Sequence, residues 1–182
     1  MAGYYYLISS LPALAADDNP PMTPDEFLEQ CAAWLPEDEM AELSRLSLVP
    51  TVALPVAAAA RAWNDWETCL RNAVARHRSA SGQDVDSILR YEFDCYDEIE
   101  SGVQEAWSQS DPLEREKILY RLRWHFLDDL ESGHNFDFQL LVTYKLKLLL
   151  LLRRQGFNAA AGRDSFAAAV TRIEQEPAEK TE

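Results

Sequence analysis

The chain is poor in the residues that build covalent or metal frameworks. Its 182 residues include three cysteines, Cys31, Cys69 and Cys95. They are too few and too scattered for a disulfide scaffold or a Cys-x-x-Cys site, and such thiols suit a reducing compartment. His77, His125 and His134 form neither His-x-x-x-His nor His-Glu-x-x-His. Glu131-Ser-Gly-His134 matches half of the di-iron bundle motif, whose second copy is missing. No glycine-rich loop follows a strand, which leaves nucleotide binding without support. No serine or cysteine stands in a nucleophile motif. The expectation is a protein with no catalytic residue, no cofactor and no metal.

Positive charge is scarce as well. Seventeen bases face 31 acids, a formal net charge of -14. Such a chain is repelled by DNA, RNA and anionic lipid, so none of these is an expected partner. The imbalance is local: residues 1–50 hold nine acids and one base, Arg45, and residues 91–131 hold twelve acids and four bases. Six of the other bases gather at expected helix ends, first Arg71, Arg76 and Arg78, then Arg153, Arg154 and Arg163. Cations there complement the helix dipole. They could also dock an acidic partner.

A membrane span is missing too. The most apolar stretch, Asp137–Arg154, contains Lys145 and Lys147, whereas a spanning helix needs about 20 apolar residues with few charges. This segment is expected to be buried in protein. The start of the chain lacks the basic region of a signal peptide. A cytoplasmic protein is expected.

What the chain does have is helical periodicity. Leu7, Leu11 and Leu14 are spaced for a helix, although Tyr4–Ile8 also has strand propensity. Thr23, Pro24 and Glu26 form a capping box that opens a helix to about Trp34. Pro36 opens another, and Leu48–Pro55 is a non-helical connector. Further helices are expected over Val56–Arg78, Asp84 to about Trp107, Asp111 to Glu131, Asp137–Arg154 and about Arg163 to Gln175. Trp63, Trp66, Trp107 and Trp124 have the spacing of core residues. The acidic run Glu92, Asp94, Asp97, Glu98 and Glu100 reads as a solvated helix face. The sum is an all-α bundle of about seven helices. It is expected as a single helical domain over 1–175, with lobes 1–50 and 51–175 as an alternative, followed by a disordered tail at 176–182.

On a helical wheel of 137–154, Gln139, Thr143, Lys147 and Arg154 form one narrow stripe, and almost every other direction is apolar. Lys145 lies on the apolar side and needs a carboxylate partner or a path to water.

Two segments share a layout. Trp66–Arg76 and Tyr144–Arg154 are each an apolar helix ending in arginines, followed by a loop with Gly-x-Asp (Gly82-Gln-Asp84 and Gly162-Arg-Asp164). The Glu67…Arg71-Asn72…Arg76 pattern and the Tyr144…Arg153-Arg154…Gly162 pattern resemble helix-end motifs of the C-subunit family of archaeal and bacterial V-type ATPases (the d-subunit in eukaryotes). The start, Tyr4-Tyr-Tyr-Leu-Ile-Ser-Ser-Leu-Pro12, followed by Pro21-Met-Thr-Pro-Asp-Glu-Phe-Leu28, resembles more closely an uncharacterised bacterial family encoded beside V-type ATPase genes. Lys145 and Lys147 stand where the C-subunit motif carries an acid.

The resemblance implies a non-catalytic helical subunit coupling the central stalk to the membrane ring, cytoplasmic and peripheral to the inner membrane. Its partners would be rotor-stalk and membrane-ring subunits. Arg71, Arg76, Arg153, Arg154 and Arg163 would be its interface residues. The alternatives are an assembly or regulatory factor of the same complex, and a helical enzyme with a cryptic carboxylate site.

Overall fold

The computed structural model describes residues 2–79 apart from 52 and 54, together with 89 and 97–157. Among these residues the protein is all-helical, with seven helices and no strand. They are α1 (Ala2–Ser10), α2 (Pro24–Ala32), α3 (Glu37–Arg45), α4 (Ala58–Arg78), α5 (Asp97–Ser108), α6 (Pro112–Glu131) and α7 (Phe138–Gln155). The helix expected over 163–175, the tail at 176–182 and the two Gly-x-Asp loops lie outside the described residues.

Local chemistry explains most of the boundaries. Thr23 accepts from the Glu26 amide, and the Glu26 carboxylate returns a bond to Thr23, a closed capping box. Asp111 and Asp137 cap α6 and α7 through their side chains. The α6–α7 turn passes through Gly133 at φ 86°, a left-handed conformation that glycine adopts without Cβ strain. α1 ends before Pro12, resolving the choice between strand and helix in favour of helix.

One expected boundary is wrong. Leu89 is not helical, so no continuous helix runs from Asp84 to Trp107. The described α5 has its first turn at Asp97, Glu98 and Glu100, where three carboxylates meet the positive end of the helix dipole.

The core extends through all seven helices. Leu7, Phe27, Leu43, Trp63, Trp66, Ile99, Val103, Leu127 and, from α7, Leu141, Leu146, Leu148, Leu150 and Leu151 are essentially solvent-free. Phe126 stacks on Trp66 at 4.6 Å between centroids, and Trp63 stacks on Trp66 at 6.0 Å. The expected core role of Trp63, Trp66 and Trp124 therefore holds, and Trp107 is half-buried. α5 and α6 approach closely at Gly102, where an added Cβ would come within 2.8 Å of a Leu122 methyl.

α7 is the axis and packs against α2, α3, α4 and α6. Its polar stripe is turned largely inward, apart from the partly exposed Arg154 at its end. Thr143 and Lys147 are buried, and Gln139 Oε1 accepts the Ala59 amide at 2.7 Å. That bond serves the start of α4, which has no side-chain cap of its own. Glu42 of α3 accepts the neighbouring Ala57 amide at 2.7 Å. Two of the amides that any helix N-terminus leaves open are thus filled from distant elements.

Lys145 takes neither of its expected routes. It is 3% exposed, and its ammonium donates to the carbonyl oxygens of Leu43 and Ser44 at the C-terminal end of α3. The Leu43 carbonyl also accepts the Leu46 amide at 3.2 Å, so the ammonium shares it with the helix cap, and a cation complements that end of the dipole.

Burial lowers the Lys145 pKa from its ordinary 10.5, with smaller upward influences from Asp25 and Cys31. As pH rises toward that value, the unfolded chain binds more protons at this site than the folded one. The residue's contribution to stability therefore increases with pH over this window. Lys145→Met should cost about 1–3 kcal/mol by removing the ammonium's bonds to the Leu43 and Ser44 carbonyls at the end of α3. Its deficit against the parent chain should widen between neutral pH and about pH 10. Urea unfolding at several pH values checks both, and a deficit independent of pH would show that the ammonium is not desolvated.

Candidate functional site

The residues that the sequence singles out for function are arginines, and the structure places four of them. Arg71 lies well inside α4, not at its end. Arg76 belongs to the last turn of α4, and Arg153 and Arg154 to the last turn of α7. Arg163 lies outside the described residues.

Arg71 and Arg153 sit at opposite ends of one chain of ion pairs. Its most buried member is Glu67, whose carboxylate is shielded completely from solvent. Arg123 of α6 grips it with two bonds, Nε to Oε2 at 2.8 Å and Nη2 to Oε1 at 3.1 Å. Arg71, one turn along α4, adds Nε to Oε1 at 2.8 Å. Arg123 also donates to the Leu119 carbonyl at 3.3 Å and lies 4.0 Å from Glu116. Glu116 in turn accepts from Arg153 of α7. The series Arg71–Glu67–Arg123–Glu116–Arg153 thus links α4, α6 and α7.

The physics of that series is structural. An isolated buried carboxylate costs several kcal/mol, and only close, well-aligned charges with full hydrogen bonding offset it. The planar guanidinium fork meets this demand, whereas a lysine point charge would not. With three N–H donors on its two oxygens, Glu67 is held as a charged acceptor rather than as a free acid or base.

The other two arginines have their own partners. Arg154 donates to the carbonyls of Asp17 and Asp18 at 2.6 and 2.7 Å and lies over the Tyr120 ring. It thereby ties the loop after α1 to the end of α7. Arg76 lies 3.6 Å from Glu100 of α5. All four keep partly exposed side chains, 27–44%.

Two recesses flank these groups. One, about 220 Å³, lies between the end of α1 and α7 and is lined by Ile8, Leu11, Leu14, Glu131, Tyr144 and Lys147. Lys147 there bonds Asp128 at 2.7 Å and Glu131, and its ammonium lies over the Trp124 ring. The other, about 470 Å³, is lined by Asp17, Lys117, Tyr120, Arg121, Arg154 and Phe157. Tyr144 donates to the Pro12 carbonyl and Tyr120 to the Ala16 carbonyl, at 2.9 and 2.7 Å. Burial pushes both phenols up to about 12, so they remain donors at ordinary pH.

Among the described residues no group of three or more His, Cys, Asp or Glu could hold a metal ion. Glu131 of the half-motif is engaged by Lys147, and His134 by Asp137 at 2.6 Å. The acidic run is only partly a solvated face. Glu98 is exposed yet accepts the Trp66 indole N–H at 3.1 Å, Glu100 lies near Arg76, and Glu92 and Asp94 lie outside the described residues.

Sequence reasoning missed Arg123 and Glu116 as members of the ion-pair series. Arg123 reads as one more charge on an amphipathic helix, and nothing local marks its burial. The one signal was Glu67, an acid set among Trp63, Trp66 and Leu70, where a buried carboxylate demands a cation.

Comparison of the chain with protein-family models, curated proteins and solved structures found no match. No helix among the described residues is long and apolar enough to cross a membrane.

Glu67→Gln should destabilise the fold by about 3–5 kcal/mol, because Arg123 then keeps a buried charge without its counterion. Replacing Glu67 and Arg123 together with leucine should cost less than Glu67→Leu and Arg123→Leu combined. Denaturant unfolding of the three variants tests this, and additive costs would mean that the pair is not coupled.

Proposed function

We propose that this chain is a non-catalytic helical component of a V-type ATPase, similar in role to the C-subunit family and coupling the central stalk to the membrane ring. In this reading it is cytoplasmic and reaches the membrane only through the complex. The observation that carries the proposal is the ion-pair series joining α4 and α7, the two helices whose sequences resemble C-subunit motifs. A coupling component transmits torque between partners and needs a body whose helices do not slide. Charged pairs bridging α4, α6 and α7 through a buried carboxylate resist sliding, because displacement would strand a charge in the core.

The arginine-ended helices give the docking chemistry. Arg153 and Arg154 retain exposed surface beside their internal partners, and guanidinium groups bind planar carboxylates in two-point geometry. An acidic loop of a stalk or ring protein fits that end of α7.

Tagged protein should co-purify with rotor-stalk and membrane-ring subunits from cells that make the complex. Charge reversal at Arg153 and Arg154 should weaken that association, most at low salt, where exposed charges are least screened. A melting curve on each variant separates lost docking from lost folding, since Arg153→Glu also faces Glu116. A protein that stays free of these subunits sinks the assignment. Unchanged association in the folded variants would leave the arginines as internal links alone.

A further inference from the structure

Four large rings that elsewhere would be core residues stand at the surface. Tyr5 is 53% exposed, Tyr6 62%, Trp34 49% and Phe136 48%. They come from three separate segments: α1, the link between α2 and α3, and the turn between α6 and α7. The rings nevertheless form one row. Phe136 lies 4.9 Å from Tyr5, Tyr5 meets Tyr6 edge-on at 5.7 Å, and Tyr6 stacks on Trp34 at 6.1 Å. α1 sits against Trp34 at Gly3, where even a Cβ would meet the Trp34 carbonyl and ring at ordinary van der Waals distances of 3.5 and 3.6 Å. The opposite side of α1 is already used, with Leu7 buried and Tyr4 and Ile8 half-buried. An apolar helix with one bare face, continued by rings from two other segments, has the composition of an interface centre, where Tyr, Trp and Phe are enriched.

The rim of this row is negative. Glu37 and Asp38 are exposed in the first turn of α3, and Glu39 beside them accepts the Tyr4 hydroxyl. Asp137, next to Phe136, is about half exposed. The Tyr4 phenol is raised above its ordinary value first by burial, then by its bond to Glu39 and by the charges of Glu39, Asp38 and Asp137. The chain has no lysine or arginine before Arg45.

We propose that the Phe136–Tyr5–Tyr6–Trp34 row is a docking surface for a basic amphipathic helix of a partner protein. Its apolar side would lie along the rings. Its lysine or arginine heads would reach Glu37, Asp38 and Asp137, with their alkyl stems and cationic ends over the ring faces. Charge selects the occupant: an acidic helix meets like charge at this rim, and an anionic membrane is repelled by it. The surface contains none of the arginines discussed above and does not depend on the ATPase assignment.

The test uses the full chain and a fluorescently labelled leucine–lysine amphipathic peptide, followed by anisotropy. A leucine–glutamate peptide and a serine–lysine peptide of equal length serve as controls, with phosphatidylcholine vesicles as a separate arm. The leucine–lysine peptide should bind, and both controls should bind at least tenfold more weakly. Tyr6→Ser and Trp34→Ser, at exposed positions, should keep the melting temperature and weaken binding at least tenfold. Glu37→Lys with Asp38→Lys should weaken it severalfold and flatten its salt dependence. Equal binding of the serine–lysine peptide, or full binding by the folded serine variants, overturns the proposal. So does uptake by the neutral vesicles without peptide binding, which would make the row a lipid contact.

Discussion

A polar side chain carried into a helical core keeps its need for a hydrogen-bond partner, and α7 carries four of them inward. Gln139 caps the start of α4, Thr143 bonds the Gln139 carbonyl within its own helix, Lys145 caps the end of α3, and Lys147 holds Asp128 and Glu131 near the end of α6. Three of these four contacts therefore fix where another helix starts or stops. Leucine packing supplies cohesion without direction, whereas a hydrogen bond or ion pair has one acceptable geometry. The register of the bundle around α7 follows from the polar contacts, and its stability from the apolar ones.

The same division appears at Glu67. Its carboxylate is fully buried, an unsuitable place for a charge. Arg123 and Arg71 make the site tolerable, and Glu116 extends the series to Arg153. Replacing such a network with apolar residues is often neutral for stability, so its presence says more about defined helix positions than about strength. That property fits a body that holds partners in fixed relation. The arginines of the series brace the interior and still keep exposed surface.

Much of the fold was legible in the chain. Capping residues at Thr23, Asp111 and Asp137, the left-handed turn at Gly133 and the tryptophan spacing of α4 are local signals, and each acts over a few residues. The illegible parts are contacts between residues far apart. Lys145 looked like a lysine in search of a carboxylate or water because carbonyl acceptors have no sequence signature; every residue carries one. Arg123 looked like surface for the same reason, since burial is a property of what packs on top. Leu89 shows the reverse failure, an apolar pattern long enough to suggest a helix that does not form there.

By itself the sequence determined that the chain is helical, where most helices begin, which apolar residues form the core and that the surface is acidic. These follow from backbone capping, periodicity and composition, which operate within one or two helical turns. Only the tertiary structure decided that the polar stripe of α7 faces inward, that Arg71 and Arg153 share one buried series, and that Tyr5, Tyr6, Trp34 and Phe136 meet in a row at the surface. Those facts depend on which helix faces join. That choice is made by the fit of the whole set of buried side chains and cannot be read from any one segment.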